Sequence, residues 1–272
     1  MARKSNGRTN GQPSAGYVKS LDKALALMEY IGEMDDGLQL SDLAQRAGLP
    51  PSTAHRLLTT LERRRFVQFD NSSRRWCIGV QAFTVGSAFL PRRDLIRSAL
   101  PFMRQLMEES GETVNLAVES NGEAVFLAHV ESHEMMRASS RPGSRVPLHG
   151  SGVGKALLST MSEREVTRIL HKHGLRRLTP NTIVSPSELR VALVEVRERG
   201  YAFDNEEHAF GVRCVAAPIF DERGEAVAAI SLLGPTPRIS EERASELGAR
   251  VRRAARLITS ELGGLMAAPV SA

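Results

Sequence analysis

Cysteine is scarce in this chain. Two residues in 272, Cys77 and Cys214, cannot build a disulfide framework, and that fits a reducing cytoplasm. No apolar run reaches the roughly 20 residues a membrane-spanning helix needs, so no membrane partner is expected. The N-terminus, MARKSNGRTNGQPSAG, has basic residues but no apolar core. It reads as a disordered basic tail over residues 1–17 rather than a secretory signal. Internal repeats are absent. His129 with His133, and His171 with His173, lack the accompanying thiols or carboxylates of a metal site, so neither a metal nor a cofactor is expected. LHGSGVGKALLS, residues 148–159, has the Gly154-Lys155 pair of a phosphate loop but not the rest of it. His149 stands where the first glycine belongs and Ala156 where the metal-binding hydroxyl belongs, which excludes a Mg²⁺-nucleotide site. What remains is a glycine-rich turn opening a helix, whose free N–H groups suit a small anion such as a carboxylate or merely begin the helix.

The apolar share of 42% and charged share of 25% are those of a globular protein long enough for two domains. Charge is unevenly placed. Residues 1–90 hold 12 Lys and Arg against 8 Asp and Glu, whereas residues 91–272 hold 24 against 23. Nearly all of the net +5 therefore lies in the first third, where a polyanion would be met.

That third carries a matching motif. Val18, Leu21, Leu25, Met28 and Ile31 recur at helical spacing, and Gly37 closes the segment. In LQLSDLAQRAGLPPSTAHRLLTTLERRRFVQFD, Ser41 is expected to cap a short helix that Gly48 terminates. Pro51 and Ser52 then open a second helix to about Arg64, with Leu57, Leu58 and Leu61 on its buried face. Two short helices joined by a tight turn make a helix-turn-helix. Ser52, Thr53, His55 and Arg56 lie in the first turns of the second helix, the part that meets base edges and phosphates in the major groove of double-stranded DNA. FVQFD and RWCIG around NSSRR predict a hairpin wing with Arg74 and Arg75 at its tip, and Trp76 is expected to pack beside it. A small helical protein-interaction module is the competing reading.

Residues 80–94 predict a linker helix broken near Pro91, and a longer helix runs from about Leu95 to Glu109. TVNLAVES and AVFLAHVES flank Asn121-Gly122, a hairpin signal. MMRASSR, RCVAAPIF and AVAAISLLG read as further strands, and helices are expected near 152–160, 163–173 and 187–199. A last long helix carries a stripe of Ala244, Leu247, Val251, Ala254, Ile258 and Leu262. Strands and helices without regular alternation predict an α+β domain with an antiparallel sheet over 95–265, ahead of a flexible C-terminus over 266–272. Cys214 near His208, or Ser151 with a distant His and Asp, lacks any catalytic signature, so no enzyme is expected. The remaining alternatives are an enzyme with an N-terminal oligomerisation module, and a redox sensor working through Cys214.

These stretches, with MEESGETVNLAVE, VPLHGSGVGKALLS and ERGYAFDNEEHAFGVRCVAAPIFDERGEAVAAISLLGP, resemble the IclR family of transcriptional regulators from about Val18 to Leu262. They are most similar to the subgroup of acetate-operon and allantoin-pathway repressors. The resemblance implies a winged helix-turn-helix over 18–79, a linker helix over 80–94 and a GAF-like effector domain. It implies homodimers or homotetramers, operator DNA as partner, and a small organic acid such as glyoxylate or pyruvate as effector. Repression is implied, with activation or control of aromatic-acid catabolism as the alternative. The effector's carboxylate would be held by the backbone of Gly152 and Val153, with Asp204, Cys214 and Ser231. Leu233 falls where the family subgroup has a second serine, removing one hydroxyl. An apolar patch would comprise Met135, Ala138, Val146 and Val212, and the small Ala138 would leave room for a larger acid.

Overall fold

The structure, a computed structural model, describes residues 18–87, 93–135 and 140–264. The chain forms two compact units, residues 1–90 and 91–272.

In the first unit, α1 (Lys19–Gly32), α2 (Leu40–Arg46) and α3 (Pro51–Arg63) precede the two-stranded wing, β1 (Val67–Asp70) and β2 (Arg75–Ile78), and α4 (Val80–Ser87). Leu27, Ile31, Leu43, Ala54, Leu58, Val67 and Trp76 form its core. Two expectations are corrected here. Ser41 does not cap α2: the cap position is Gln39, and the Ser41 hydroxyl donates to Asp42 instead. The buried stripe of α1 is Ala24, Leu27 and Ile31, whereas Val18, Leu21 and Leu25 are exposed. The helix carries two apolar stripes, and spacing alone merged them. The wing pairs Val67 with Ile78 and Asp70 with Arg75. Its tip is tied by Asp70, which accepts from the Ser72 and Ser73 hydroxyls and the Ser72 N–H. The Ser73 and Ser72 hydroxyls hold that carboxyl down at about 2.

The second unit is an antiparallel six-stranded sheet with helices on both faces. Its order is β5 (Arg145–Pro147), β4 (Glu123–Val130), β3 (Thr113–Ser120), β8 (Ala226–Pro235), β7 (Val212–Phe220), β6 (Ala202–Asn205). Asn121 and Gly122, both at positive φ, make the tight β3–β4 turn that twisted hairpins favour. Alternation then divides the residues. Val114, Leu116, Val118, Val215, Ile230 and Leu232 face one core, packed under α5 (Arg93–Ser110) and α9 (Glu241–Glu261). Ala117, Cys214, Ala216 and Ala229 face the other, under α6 (Gly152–Leu158), α7 (Glu163–His173) and α8 (Pro186–Arg199). Small side chains line this second face because α6 presses closely onto it.

Strands β5 and β6 have no counterpart among the sequence expectations: three and four residues are too short for an alternation signal. The strand expected at MMRASSR lies largely outside the described residues, and its described members, Met135, Ser140 and Arg141, are not in a strand.

Candidate functional site

Residues at i, i+3 and i+4 share one face of a helix. On α3 that rule places Ala54 and Leu58 in the core and leaves Ser52, His55 and Arg56 exposed, with Thr53 half-buried. The face turned out by this helix is therefore hydroxyl, imidazole and guanidinium. It is flanked by two grooves. One, of about 660 Å³, runs between α3 and the wing and is lined by His55, Thr59, Phe69, Arg74 and Trp76. Trp76 is buried with its ring 6.3 Å from that of His55 and 5.1 Å from that of Phe69, so it fixes the wing against α3. The other, of about 760 Å³, is lined by Lys19, Lys23, Thr53, Arg56, Thr60 and Arg63. Lys19 and Lys23, which the sequence reading does not single out, line this groove; their i, i+4 spacing on α1 is the signal that places them together. At the wing, the Arg74 guanidinium lies 5.7 Å from the Phe69 ring centre. Arg75 instead donates to the Gly37 carbonyl at 3.2 Å, which ties it into its own domain.

The second site is built on the α6 face of the sheet. Ser151 caps α6, accepting from the Gly154 N–H at 3.2 Å and donating to the Pro147 carbonyl at 2.8 Å. Glycine is required beyond it for space. A Cβ on Gly152 would lie 2.7 Å from the Cys214 sulfur, and one on Gly154 would lie 2.2 Å from the Leu148 carbonyl oxygen. The latter neighbour is backbone and cannot swing aside. Gly154→Ala is therefore expected to push α6 off the sheet and cost about 1–3 kcal/mol, read as a lower urea midpoint for the C-terminal unit.

Strand register brings the remaining residues together. Asp204 pairs with Cys214, Cys214 with Leu233, and Leu233 with Thr113; in the next row Ala216 pairs with Ser231 and Ser231 with Asn115. Asp204, Cys214 and Ser231 thus share one face beside Gly152. Val212 precedes Cys214 by two residues and is half-buried. Of the apolar patch, Val146 is buried in β5, separated from β7 by three strands but in the same core as Val153 and Cys214; Met135 is 99% exposed, and Ala138 lies outside the described residues.

Around Asp204 the field is strong. Its carboxylate accepts from the Glu207 N–H at 2.7 Å and the His208 N–H at 3.4 Å. Lys155, 3% exposed, donates to Glu207 and, at 2.6 Å, to the Phe203 carbonyl. Burial and then the charge on Glu207 push Asp204 up to about 7, against the pull of Lys155 and the two N–H groups. Burial and the Asp204 charge also push the Cys214 thiol up to about 12, which keeps it protonated and a poor nucleophile. A carboxyl raised on folding takes up protons in the folded state, so its contribution favours folding below about 4 and is lost as pH rises towards 7. The C-terminal unit should therefore lose thermal stability between pH 5 and 7.5. Asp204→Asn should flatten that slope; an unchanged slope would show that Asp204 does not carry it.

A helix-turn-helix with a wing, in the same chain as an α+β domain with a polar sheet face, defines a DNA-binding regulator carrying a separate second module. The comparisons with known proteins give the family. The profile described as IclR helix-turn-helix domain matches residues 20–71, and that described as Bacterial transcriptional regulator IclR C-terminal matches residues 87–260. The chain belongs to the IclR family of transcriptional regulators. It is 48% identical over 255 residues to the transcriptional repressor IclR of Escherichia coli K12, covering 93% of each chain. It is 41% identical over 246 residues to the repressor AllR of the same organism, covering 90% of this chain and 91% of that one. Among solved structures it is similar to the Thermotoga maritima IclR, with a TM-score of 0.73 at 32% identity, over 90% of this chain and 98% of that one. It is also similar to an IclR homologue from Microbacterium hydrocarbonoxydans complexed with 4-hydroxybenzoate, with a TM-score of 0.79 at 25% identity, over 90% of this chain and 99% of that one. The two Escherichia coli relatives are named as transcriptional repressors. No described helix is long and apolar enough to cross a membrane.

Proposed function

We propose that this chain is a cytoplasmic, non-catalytic transcriptional repressor whose hold on double-stranded operator DNA is set by a small carboxylate effector. The observation that carries the reading is the division of chemistry between the units: an outward polar face on α3, and a buried polar row of Asp204, Cys214 and Ser231 beside Gly152. Backbone N–H groups of Gly152 and Val153 hold the effector's carboxylate. Asp204, pushed up to about 7, is protonated often enough at neutral pH to donate a hydrogen bond to that anion rather than repel it. The names of the relatives as repressors, and the acid bound by the Microbacterium homologue, support both halves.

DNA reading by α3 in successive major grooves calls for two copies. The exposed apolar residues Leu21 and Leu25 on α1, and Val80 and Phe83 on α4, supply a surface for homodimerisation through the N-terminal unit. Tetramers would then form through the C-terminal unit. Effector binding shifts the population between operator-competent and incompetent arrangements.

Isothermal calorimetry with glyoxylate and pyruvate tests the pocket. Binding to the wild type that weakens in Asp204→Asn and Cys214→Ser, while a duplex selected from a random pool is still bound, is the expected pattern. Unchanged acid binding in both variants would place the effector elsewhere.

A further inference from the structure

The polar row does not stop at Ser231. Asn115, opposite it on β3, pairs in turn with His129 on β4. Asn115 and Ser231 are each 1% exposed. The Asn115 Oδ1 accepts from the Ser140 hydroxyl, which fixes the amide and leaves its Nδ2 without a partner among the described residues. The His129 Nδ1 is likewise buried and unpartnered among the described residues, and the Ser231 Oγ is buried with only the weakly bonding Cys214 thiol beside it. Buried polar atoms are nearly always satisfied, by protein, water or ligand. Two unsatisfied atoms and one satisfied only by a thiol, on one face and in register across three neighbouring strands, point to a common missing partner.

Resting on the carboxylate-sensor reading above, we infer that Asn115 and His129, with Ser231 standing between them and the carboxylate end, form a second polar pole, which binds a neutral acceptor oxygen at the far end of the effector. The chemistry sets the class. Asn115 Nδ2 can only donate, while the serine hydroxyl and the His129 Nδ1 can each donate or accept. The partner is therefore an acceptor. A carbonyl or hydroxyl oxygen meets that need at the far end of a monocarboxylic acid, whose one charge is held at the other pole. Reach sets the length. Cys214 and Asn115 lie on strands separated only by β8 and are staggered by two residues along it, so their backbones are about 12 Å apart. Subtracting a hydrogen bond of about 3 Å at each end leaves about 6 Å between the carboxylate and the second oxygen. An oxo or hydroxy acid with its oxygen three to four carbons beyond the carboxylate spans that gap. Leu233, set between the poles where a hydroxyl would otherwise stand, packs against the intervening methylenes.

The test compares matched acids that differ only in the second oxygen: 3-oxobutanoate with butanoate, 4-oxopentanoate with pentanoate, and 5-oxohexanoate with hexanoate, each titrated into the full chain by calorimetry. At least one oxo acid should bind about tenfold more tightly than its parent, as one added buried hydrogen bond to an otherwise unpaired donor allows. Asn115→Ala should narrow that ratio to about twofold. Should that variant fail to fold, His129→Phe gives the same readout from a half-buried side chain. Equal affinity within every matched pair, or a ratio unmoved by both variants, would overturn the second pole while leaving the carboxylate site standing. If glyoxylate, pyruvate and all six acids fail to bind, the carboxylate-sensor reading falls with it.

Discussion

Replacing Lys155 by Met is expected to destabilise the C-terminal unit by about 3–5 kcal/mol, the usual consequence of removing one partner from a buried ion pair. The ammonium is almost wholly buried. It satisfies Glu207 and the Phe203 carbonyl at once, and it is the cation that offsets Asp204. Without it Glu207 is left as an unpaired carboxylate beside Asp204, with its Oε2 already lacking a hydrogen-bond partner among the described residues. Methionine fills much of the volume, so the loss reports charge more than packing. The double variant Lys155→Met with Glu207→Gln should recover a large part of it, because no uncompensated charge then remains. Urea denaturation of the three proteins at pH 7.5 gives the comparison. A single-variant loss under about 1 kcal/mol would mean that water reaches the pair and that it is not the buried clamp described.

Arg56→Ala should weaken binding to a selected duplex by about 1–3 kcal/mol, on the order of tenfold to a hundredfold, with no loss of thermal stability. The side chain is exposed and packs into no core, so the fold does not depend on it. It sits one turn into α3 beside His55, on the outward face proposed to enter the groove. Lys23→Ala offers a contrast. Lys23 shares a groove with Arg56 but lies on α1 rather than on the helix proposed to read bases; if it meets phosphate, its loss should reduce affinity on every sequence alike and lower the salt dependence. Affinity unchanged in Arg56→Ala would remove α3 from the interface.

Local pattern made the N-terminal domain legible. The turn after α2, the prolines opening α3 and the polar tip of the wing each act over a few residues, and each appears where spacing placed it. The β3–β4 hairpin was equally plain, since Asn121 and Gly122 take the two positive φ values the turn demands. Where a second apolar stripe competed, pattern misled. Val18, Leu21 and Leu25 repeat as regularly as Ala24, Leu27 and Ile31, and only tertiary packing separates exposed from buried. In the site, family resemblance pointed to Asp204, Cys214 and Ser231, and register explains how residues so far apart share a face. Asn115 and His129 left no sequence signal, because their place beside Ser231 depends on how three strands pair. Lys155 was legible only as part of a failed phosphate loop. Its partner lies 52 positions away, and no local rule links them.

The central claim is that one chain couples a DNA-reading face to an acid-binding one. Fluorescence anisotropy of the full chain on a duplex selected from a randomised pool, with and without saturating glyoxylate, pyruvate or 4-oxopentanoate at fixed salt, tests it most directly. The account predicts tight, sequence-specific binding that at least one of these acids shifts by about tenfold, as a coupling of 1–3 kcal/mol would give, and that Asp204→Asn blunts. Recovery of no specific duplex, or an operator affinity that none of the acids changes while calorimetry shows them bound, would contradict it.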